Sequence, residues 1–437
     1  MEYIPNILFA IVLALGIGYF AKNVRKLIRN IKLGKAVDVS DNKGERWRNM
    51  ARIALGQSKM VKRPIAGFLH IVVYVGFIII NIEVLEIIID GIFGTHRIGL
   101  KVLPESVYGF LIGSFEILAV LVLISVVVFW LRRNVIKLKR FLSSEMKGWP
   151  KNDGNIILYF EVVLMCLFLV MNATDTTFQS LGHGNVISQF IAPWFGDHPD
   201  TLHAIERTAW WLHIVGILIF LNYLYFSKHL HILLAFPNTY FGSVEPKGKF
   251  NNLEAVTKEV KLMMDPNTDP FAAAPQGAEN EIPAKFGASD VMDLNQIQLL
   301  NAYTCTECGR CTSACPANLT GKKLSPRKIM MDTRDRLEEV GKNIDANGGE
   351  FKDDGKQLLG DYITHEELWA CTTCNACVEE CPVSINPLSI ILEMRRYLVM
   401  EQSAAPMELN NMMTNIENNG APWPYNQMDR LNWAKEE

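Results

Sequence analysis

Cysteine is scarce over most of the chain. Residues 1–236 contain one, Cys166, and the other eight fall between 305 and 381 in two tight groups. That bunching argues against a secreted disulfide scaffold, because such spacing suits metal better than loop-closing bridges. The 437 residues hold no GxGxxG, no P-loop and no paired nucleophile and base, so they offer no evident terminus for two-electron chemistry on a soluble substrate. Long apolar runs are missing from the second half, whereas the first half has five. Charge divides at the same place. Residues 1–236 carry 24 Lys+Arg against 16 Asp+Glu and residues 237–437 carry 19 against 30, so the net of −3 is +8 followed by −11. This excludes a single soluble domain, and an acidic soluble half is a poor partner for nucleic acid.

A bilayer-crossing helix needs ~20 mostly apolar residues. Candidates are about 3–20, 65–89, 107–131, 155–171 and 209–235. The first has no basic n-region and no small-residue cleavage site after Phe20, so it reads as a retained anchor rather than a signal peptide. Stretches 21–64 and 132–153 carry 13 and seven Lys+Arg, whereas 90–106 and 172–208 carry two and one. Basic loops belong in the cytoplasm. The expectation is a multi-pass protein of the cytoplasmic membrane, N-terminus outside and C-terminal half in the cytoplasm.

His70 lies near the cytoplasmic start of the second span. His213 and His231 lie at the two ends of the fifth, 18 residues apart. On a continuous helix that is five turns, so both project from one face ~27 Å apart. His231 then matches the depth of His70, and a low-spin b haem needs two imidazoles facing each other across the ring. The alternative is a hydrogen-bonding histidine in the packing. His229 is a rival to His231, pointing ~200° away on the same helix. Glu83 and Glu86 in span 2, Glu116 in span 3 and Glu161 in span 4 are ionisable groups in hydrocarbon, which mark pathways by default. Glu83 and Glu86 are close neighbours toward the outer side. They could exchange protons with a quinone, or pair structurally with Asn81, Arg97 or a neighbouring span.

Residues 237–289 turn polar and proline-rich, with Pro246, Pro266, Pro270, Pro275, Pro283 and an Ala-Ala-Ala-Pro stretch, and read as an extended linker. Beyond them, Cys305, Cys308, Cys311 and Cys315 form one C-x2-C-x2-C-x3-C-P string, and Cys371, Cys374, Cys377 and Cys381 form another. This is the bacterial ferredoxin spacing for a 4Fe–4S cluster, in which the fourth cysteine serves the other cluster. One cluster is therefore expected on Cys305, Cys308, Cys311 and Cys381, the other on Cys371, Cys374, Cys377 and Cys315. Zinc is the competing reading, but it needs only four ligands. Cys166 is expected to be a buried small hydrophobe. Around the motifs, 324–340, 365–369 and 387–400 have helical character and no segment alternates like a strand. The expected class is all-α: a five-span bundle (1–236), the linker, and a helical dicluster domain (290–437).

Two resemblances follow. LHIVGILIFLNYLYFSKHLH (212–231) and HIVVYVGFIII (70–80) resemble the di-haem membrane subunit of respiratory nitrate reductase and the cytochrome b subunit of heterodisulfide reductases. This implies His70 with His231 at a cytoplasmic-side haem and His213 at an outer one. At position 80 that family has a second histidine and this chain has Ile80, so one b haem is expected, unless His96, His183, His198 or His203 substitutes. ELWACTTCNACVEECPVSINPLSIILEMRRYL (367–398) and ENNGAPWPYNQMDRLNW (417–433) resemble the α-helical ferredoxin of heterodisulfide reductase small subunits. Together the halves resemble a fusion of the two subunits. The resemblance implies a separate cytoplasmic partner, of the cysteine-rich CCG type or a flavoprotein, with electrons moving between it and a membrane quinone. A reading from another class is a cluster-bearing membrane anchor or redox sensor without haem.

Overall fold

The computed structural model describes residues 3–246, 248–267 and 285–435. Among them there is no strand. Five helices are long and apolar enough to cross a bilayer: α1 (Ile4–Lys32), α2 (Pro64–Phe93), α3 (Glu105–Asn134), α4 (Trp149–Thr174) and α5 (Pro199–Tyr223, extended by a 3-10 turn to Phe226). Each runs beyond its apolar stretch, because a helix stops at a cap or breaker rather than at the first charge. Thus α2 begins with Pro64 at its first position after extended Arg63 and stops at Gly94, which is left-handed at φ +70°. A side chain at Gly76 would come within 2.5 Å of Val122, which lets α2 and α3 approach closely. Helix α4 packs on α3 and α5, and α1 on α2 and α5.

The fifth span differs from expectation. It is not one helix through 235. After Tyr223, 3-10 turns at Leu224–Phe226 and Lys228–Leu230 flank extended Ser227, and a new helix α6 (His231–Phe241) begins. The cause is Asp153, buried on α4. Its carboxylate accepts from the Tyr223 hydroxyl (2.6 Å), the Ser227 hydroxyl (2.7 Å) and the Lys228 backbone N–H (3.1 Å), while Ser227 Oγ accepts from the His229 N–H. These side chains compete with helical hydrogen bonding. His213 and His231 therefore do not share a helix face, and the helical angle between His229 and His231 has no meaning.

The linker also differs. Position 236 falls inside α6, and α7 (Glu254–Met264) occupies a proline-free window of the stretch read as extended. Pro270, Pro275, Pro283 and the Ala-Ala-Ala-Pro stretch lie outside the described residues.

The cysteine-bearing half is built on α8 (Gln296–Thr304), a helix not anticipated from the sequence, α9 (Pro326–Ala346), which runs past its expected end at 340, and α10 (Pro387–Met400), which keeps its expected limits. Its core of Leu299, Ile329, Leu337, Ile391 and Met394 continues into Leu27, Phe220, Leu224 and Leu230 of the bundle. The bundle has a separate interior of Ile80, Ile112, Phe115, Phe168 and Ile214. The halves thus share a core, and the charge asymmetry is spent between them. Lys62 pairs with Glu379, Arg63 with Glu380 (3.2 Å), Lys228 with Glu307, Arg327 with Glu145 (2.7 Å), and Lys26 and Arg29 with Asp345. The basic stretches 21–64 and 132–153 lie at the end of the bundle that meets the cysteine-bearing half.

Candidate metal centres

Each cysteine motif folds the same way. Glu307 and Gly309 in the first, Thr373 and Asn375 in the second, take positive φ (55°, 71°, 55° and 60°). Such alternation turns successive amides inward as an anion-binding nest. Each loop enters a short helix, Arg310–Ala314 or Ala376–Glu380, and the two helices pack together. That packing carries each fourth cysteine across. Cys381 lines one cavity with Cys305, Cys308 and Cys311, and Cys377 lines it too. Cys315 lies within electrostatic reach of Cys371 and Cys377.

Among the described residues, no three cysteine sulfurs lie within 4.8 Å of one another. A zinc ion at ~2.3 Å from each thiolate would draw four sulfurs to ~3.8 Å spacing. Burial pushes the thiols of Cys305 and Cys377 up to about 12 and that of Cys381 to about 11. Bare, these three thiols hold their protons at neutral pH, and a cationic iron centre is what would displace them.

The surroundings of the first motif link it to the histidines. Arg310 donates to the carbonyls of Lys59 and Met60 (both 3.2 Å) and lies within electrostatic reach of Cys308 and His70. Glu307, between the first two cysteines, pairs with Lys228 and with Arg334 (2.8 Å). Burial would push the Glu307 carboxyl up, but these two cations outweigh it and hold it below its usual value.

His70 on α2 and His231, first residue of α6, have ring centroids 6.3 Å apart and planes 42° apart. Two imidazoles on one iron, each nitrogen ~2 Å away, put their centroids ~6 Å apart. His231 Nδ1 lies 3.1 Å from the Lys228 carbonyl, leaving its other nitrogen for a metal, and His70 Nδ1 is buried without a partner. His229 stands edge-on beside His231, 5.4 Å away, and packs on Phe220. His213 is buried against Phe168 (6.2 Å), with Ile80 in the same packed interior. His96 is engaged by Asp175, and His183 by the carbonyls of Leu181 and Glu105.

The carboxylates separate by partner. Glu86 accepts from the Gly99 N–H (2.8 Å) and the Tyr108 hydroxyl (3.0 Å). Glu116 accepts from Asn172 and from the N–H groups of Ile187 and Ser188. Asn81 bonds its own helix at Phe77, and Arg97 bonds Asp175, Asn172 and Tyr108. Glu83 is buried with Oε2 unpartnered. Cys166, expected to be buried, is exposed on α4, where an apolar side chain can face lipid instead of a packed core. Sequence reasoning passes over Asp153, Lys228, Glu307 and Arg310. Only the placing of Glu307 and Arg310 inside a cysteine motif is a visible signal.

The family model for a 4Fe–4S dicluster domain matches residues 304–385. The chain is 30% identical to a probable iron–sulfur-binding oxidoreductase, FadF, of Bacillus subtilis over 98% of its own length and 61% of that protein's. It is 28% identical to the EtfAB:quinone oxidoreductase of Syntrophomonas wolfei over 88% of its length and 53% of that protein's. It is 34% identical, over 27% of its length and 60% of the relative's, to a CoB–CoM heterodisulfide reductase polypeptide of Methanosarcina acetivorans. The chain thus spans somewhat over half of the long relatives it matches. No solved structure matches it. Its homologues are iron–sulfur oxidoreductases of the heterodisulfide-reductase type, with a 4Fe–4S dicluster domain.

Proposed function

We propose that this chain is a membrane electron-transfer subunit linking a soluble redox partner to a membrane quinone. Bound in the crossed quartets and between His70 and His231, two 4Fe–4S clusters and one b haem would supply its one-electron carriers. The observation that carries the reading is the His70–His231 pair at 6.3 Å, reached by Arg310 of the first cysteine motif. The chain's own residues do the positioning: Glu307 holds Lys228, and the Lys228 carbonyl orients His231. The quartet of Cys371, Cys374, Cys377 and Cys315 is the entry point, because Cys374 is exposed. The basic loops support a cytoplasmic position for the cysteine-bearing half. The partner is a separate subunit of the CCG type or a flavoprotein; the name of the Syntrophomonas relative favours the flavoprotein. Glu83, with Glu86 one turn away on the same helix, is the group for proton exchange with the quinone.

A reduced-minus-oxidised spectrum with iron and pyridine-haemochrome assays tests this. The expected result is about eight irons and one b haem per chain. Full iron with no haem band would overturn the wire and leave a cluster-bearing anchor or sensor. Two haems would overturn the single-haem count and bring His213 into play.

A further inference from the structure

We propose that the end of the bundle opposite the cysteine motifs holds a proton-conducting cleft that terminates on Glu83. The idea deepens the quinone reading by giving it a proton source, but its test needs no quinone.

The cleft has two connected parts. A narrow inner cavity is lined by Glu83, Glu86, Asp90, Asp175 and Glu206. An outer cleft of about 560 Å³ shares Asp90, His96, Asp175, Glu206, Arg207 and Trp210 with it. At its mouth the His96 side chain is 43% exposed, whereas Glu83 at the inner end is 3% exposed. A path lined by carboxylates, one imidazole and the guanidiniums of Arg97 and Arg207 therefore runs from solvent to a carboxyl buried in an apolar span.

Glu83 differs from its neighbours in having nothing to bond. Glu86 and Glu116 spend their oxygens on backbone N–H groups and side chains of the loops beyond their helices. Glu83 Oε2 has no protein partner, and an unmatched buried oxygen on a residue that lines a cavity calls for a water or an exchanging proton. An ionisable group at that depth is costly and marks a pathway.

The ligand atoms of His96, Asp175 and Glu206 lie within 4.8 Å of one another, which invites comparison with a cation site. The arginines argue against it. Asp175 already holds the Arg97 Nε at 2.5 Å, and Glu206 holds Arg207. A divalent cation would have to sit between two guanidiniums, whereas a proton passing along hydrogen bonds displaces neither. Reducing a quinone to its quinol takes two electrons and two protons. Here the electrons arrive from the cysteine-bearing end and the protons from the opposite face through Glu83.

Water access to Glu83 tests this in the full chain. A charged, membrane-impermeant methanethiosulfonate is added to each side of vesicles carrying Glu83→Cys in a Cys166→Ser background. His96→Cys at the mouth and Ile80→Cys in the packed interior serve as references. Glu83→Cys should react from the face opposite the cysteine-bearing half, more slowly than His96→Cys because the inner cavity is narrow. Ile80→Cys should react at least about tenfold more slowly, since no water enters the hydrocarbon core. Glu83→Cys reacting no faster than Ile80→Cys, or only from the cluster side, overturns the proposal. Should the cysteine variant not assemble, wild-type protein treated with a charged carbodiimide and an amine is mapped by mass. An adduct on Glu83 supports the cleft, and modification of exposed Glu105 without Glu83 overturns it. Failure of the wild type to reduce quinone would overturn the quinone reading alone and leave the labelling result standing.

Discussion

Cys308 lies beneath the membrane helices with Arg140 and Arg310 in electrostatic reach, and Cys381 of the same quartet has Lys59. In the other quartet Cys371 is approached by Arg395, and Cys374 stands exposed. The two motifs have one spacing and one backbone course, so the difference lies in what each is folded against. Cations around a centre that gains negative charge on reduction favour its reduced form, most strongly where water is excluded. The membrane-proximal quartet should therefore have the higher potential, and electrons entering at the exposed quartet should run downhill toward His70 and His231. Spacing specifies ligands, whereas surroundings specify direction.

The largest break in this comparison comes from ligand loss. Cys315→Ser should remove the cluster of the other motif, that of Cys371, Cys374 and Cys377, and about half the iron. EPR of the reduced variant should retain the signal of the arginine-collared cluster, and loss of that signal instead would refute the crossed assignment. Next in size is His70→Ala, which should abolish the haem while both cluster signals persist. His229→Ala should leave haem content unchanged. Haem retained in His70→Ala would transfer ligation to another histidine.

Between these extremes lies the coupling of the proximal quartet to the histidines. Glu307→Gln leaves Lys228, 8% exposed, without its closest anion. Breaking such a buried pair costs ~3–5 kcal/mol. It also loosens the carbonyl that orients His231, so the haem EPR signature should broaden or shift. An unchanged signature would make the Glu307–Lys228 pair a fastener and nothing more. Arg310→Gln removes one charge from the collar and should lower the proximal potential by roughly 1–2 kcal/mol, on the order of 50–100 mV for one electron. Arg395→Gln, nearer solvent, should shift the distal potential less. Equal shifts would dissolve the distinction between the two sites.

Much of this is legible in the sequence, for reasons that also explain what is not. The spans are long apolar runs, and the cysteine quartets are local strings, so both can be read without tertiary knowledge. Depth matching pairs His70 with His231 on a helix that does not exist. The rings meet because Asp153 breaks the chain at Ser227, and Asp153 is more than 70 residues away in sequence. Periodicity cannot see such a partner. The same holds for the carboxylates. Glu86 and Glu116 look like Glu83 in sequence, and what distinguishes them is the return of Gly99, Tyr108, Ile187 and Ser188 to cover these two. Helix α7 is hidden when prolines are counted over too long a window, and a shorter one exposes it.

The smallest effect concerns the rim of the contact that keeps the proximal quartet under the bundle. Asp345 takes hydrogen bonds from Lys26 (2.6 Å) and Arg29, which hold its carboxyl below the usual range although the group is about one-third exposed. An exposed ion pair of this kind is worth at most ~1 kcal/mol. Asp345→Asn should therefore lower the thermal midpoint of cluster loss by no more than ~2 °C in low salt. The sign with pH follows from the depressed carboxyl: the contribution is complete above ~4 and lost only as pH falls below that, so the gap between variant and wild type should stay constant from about pH 8 to 5. Salt should act where pH does not. At ~1 M salt the Debye length falls to ~3 Å, and the Asp345→Asn gap should close. The Glu307→Gln gap should survive, because Glu307 and Lys228 are shielded from solvent ions. Equal collapse of both gaps in salt would mean that water reaches the Glu307–Lys228 pair, and the proximal quartet would then lose its claim to a drier setting than the distal one.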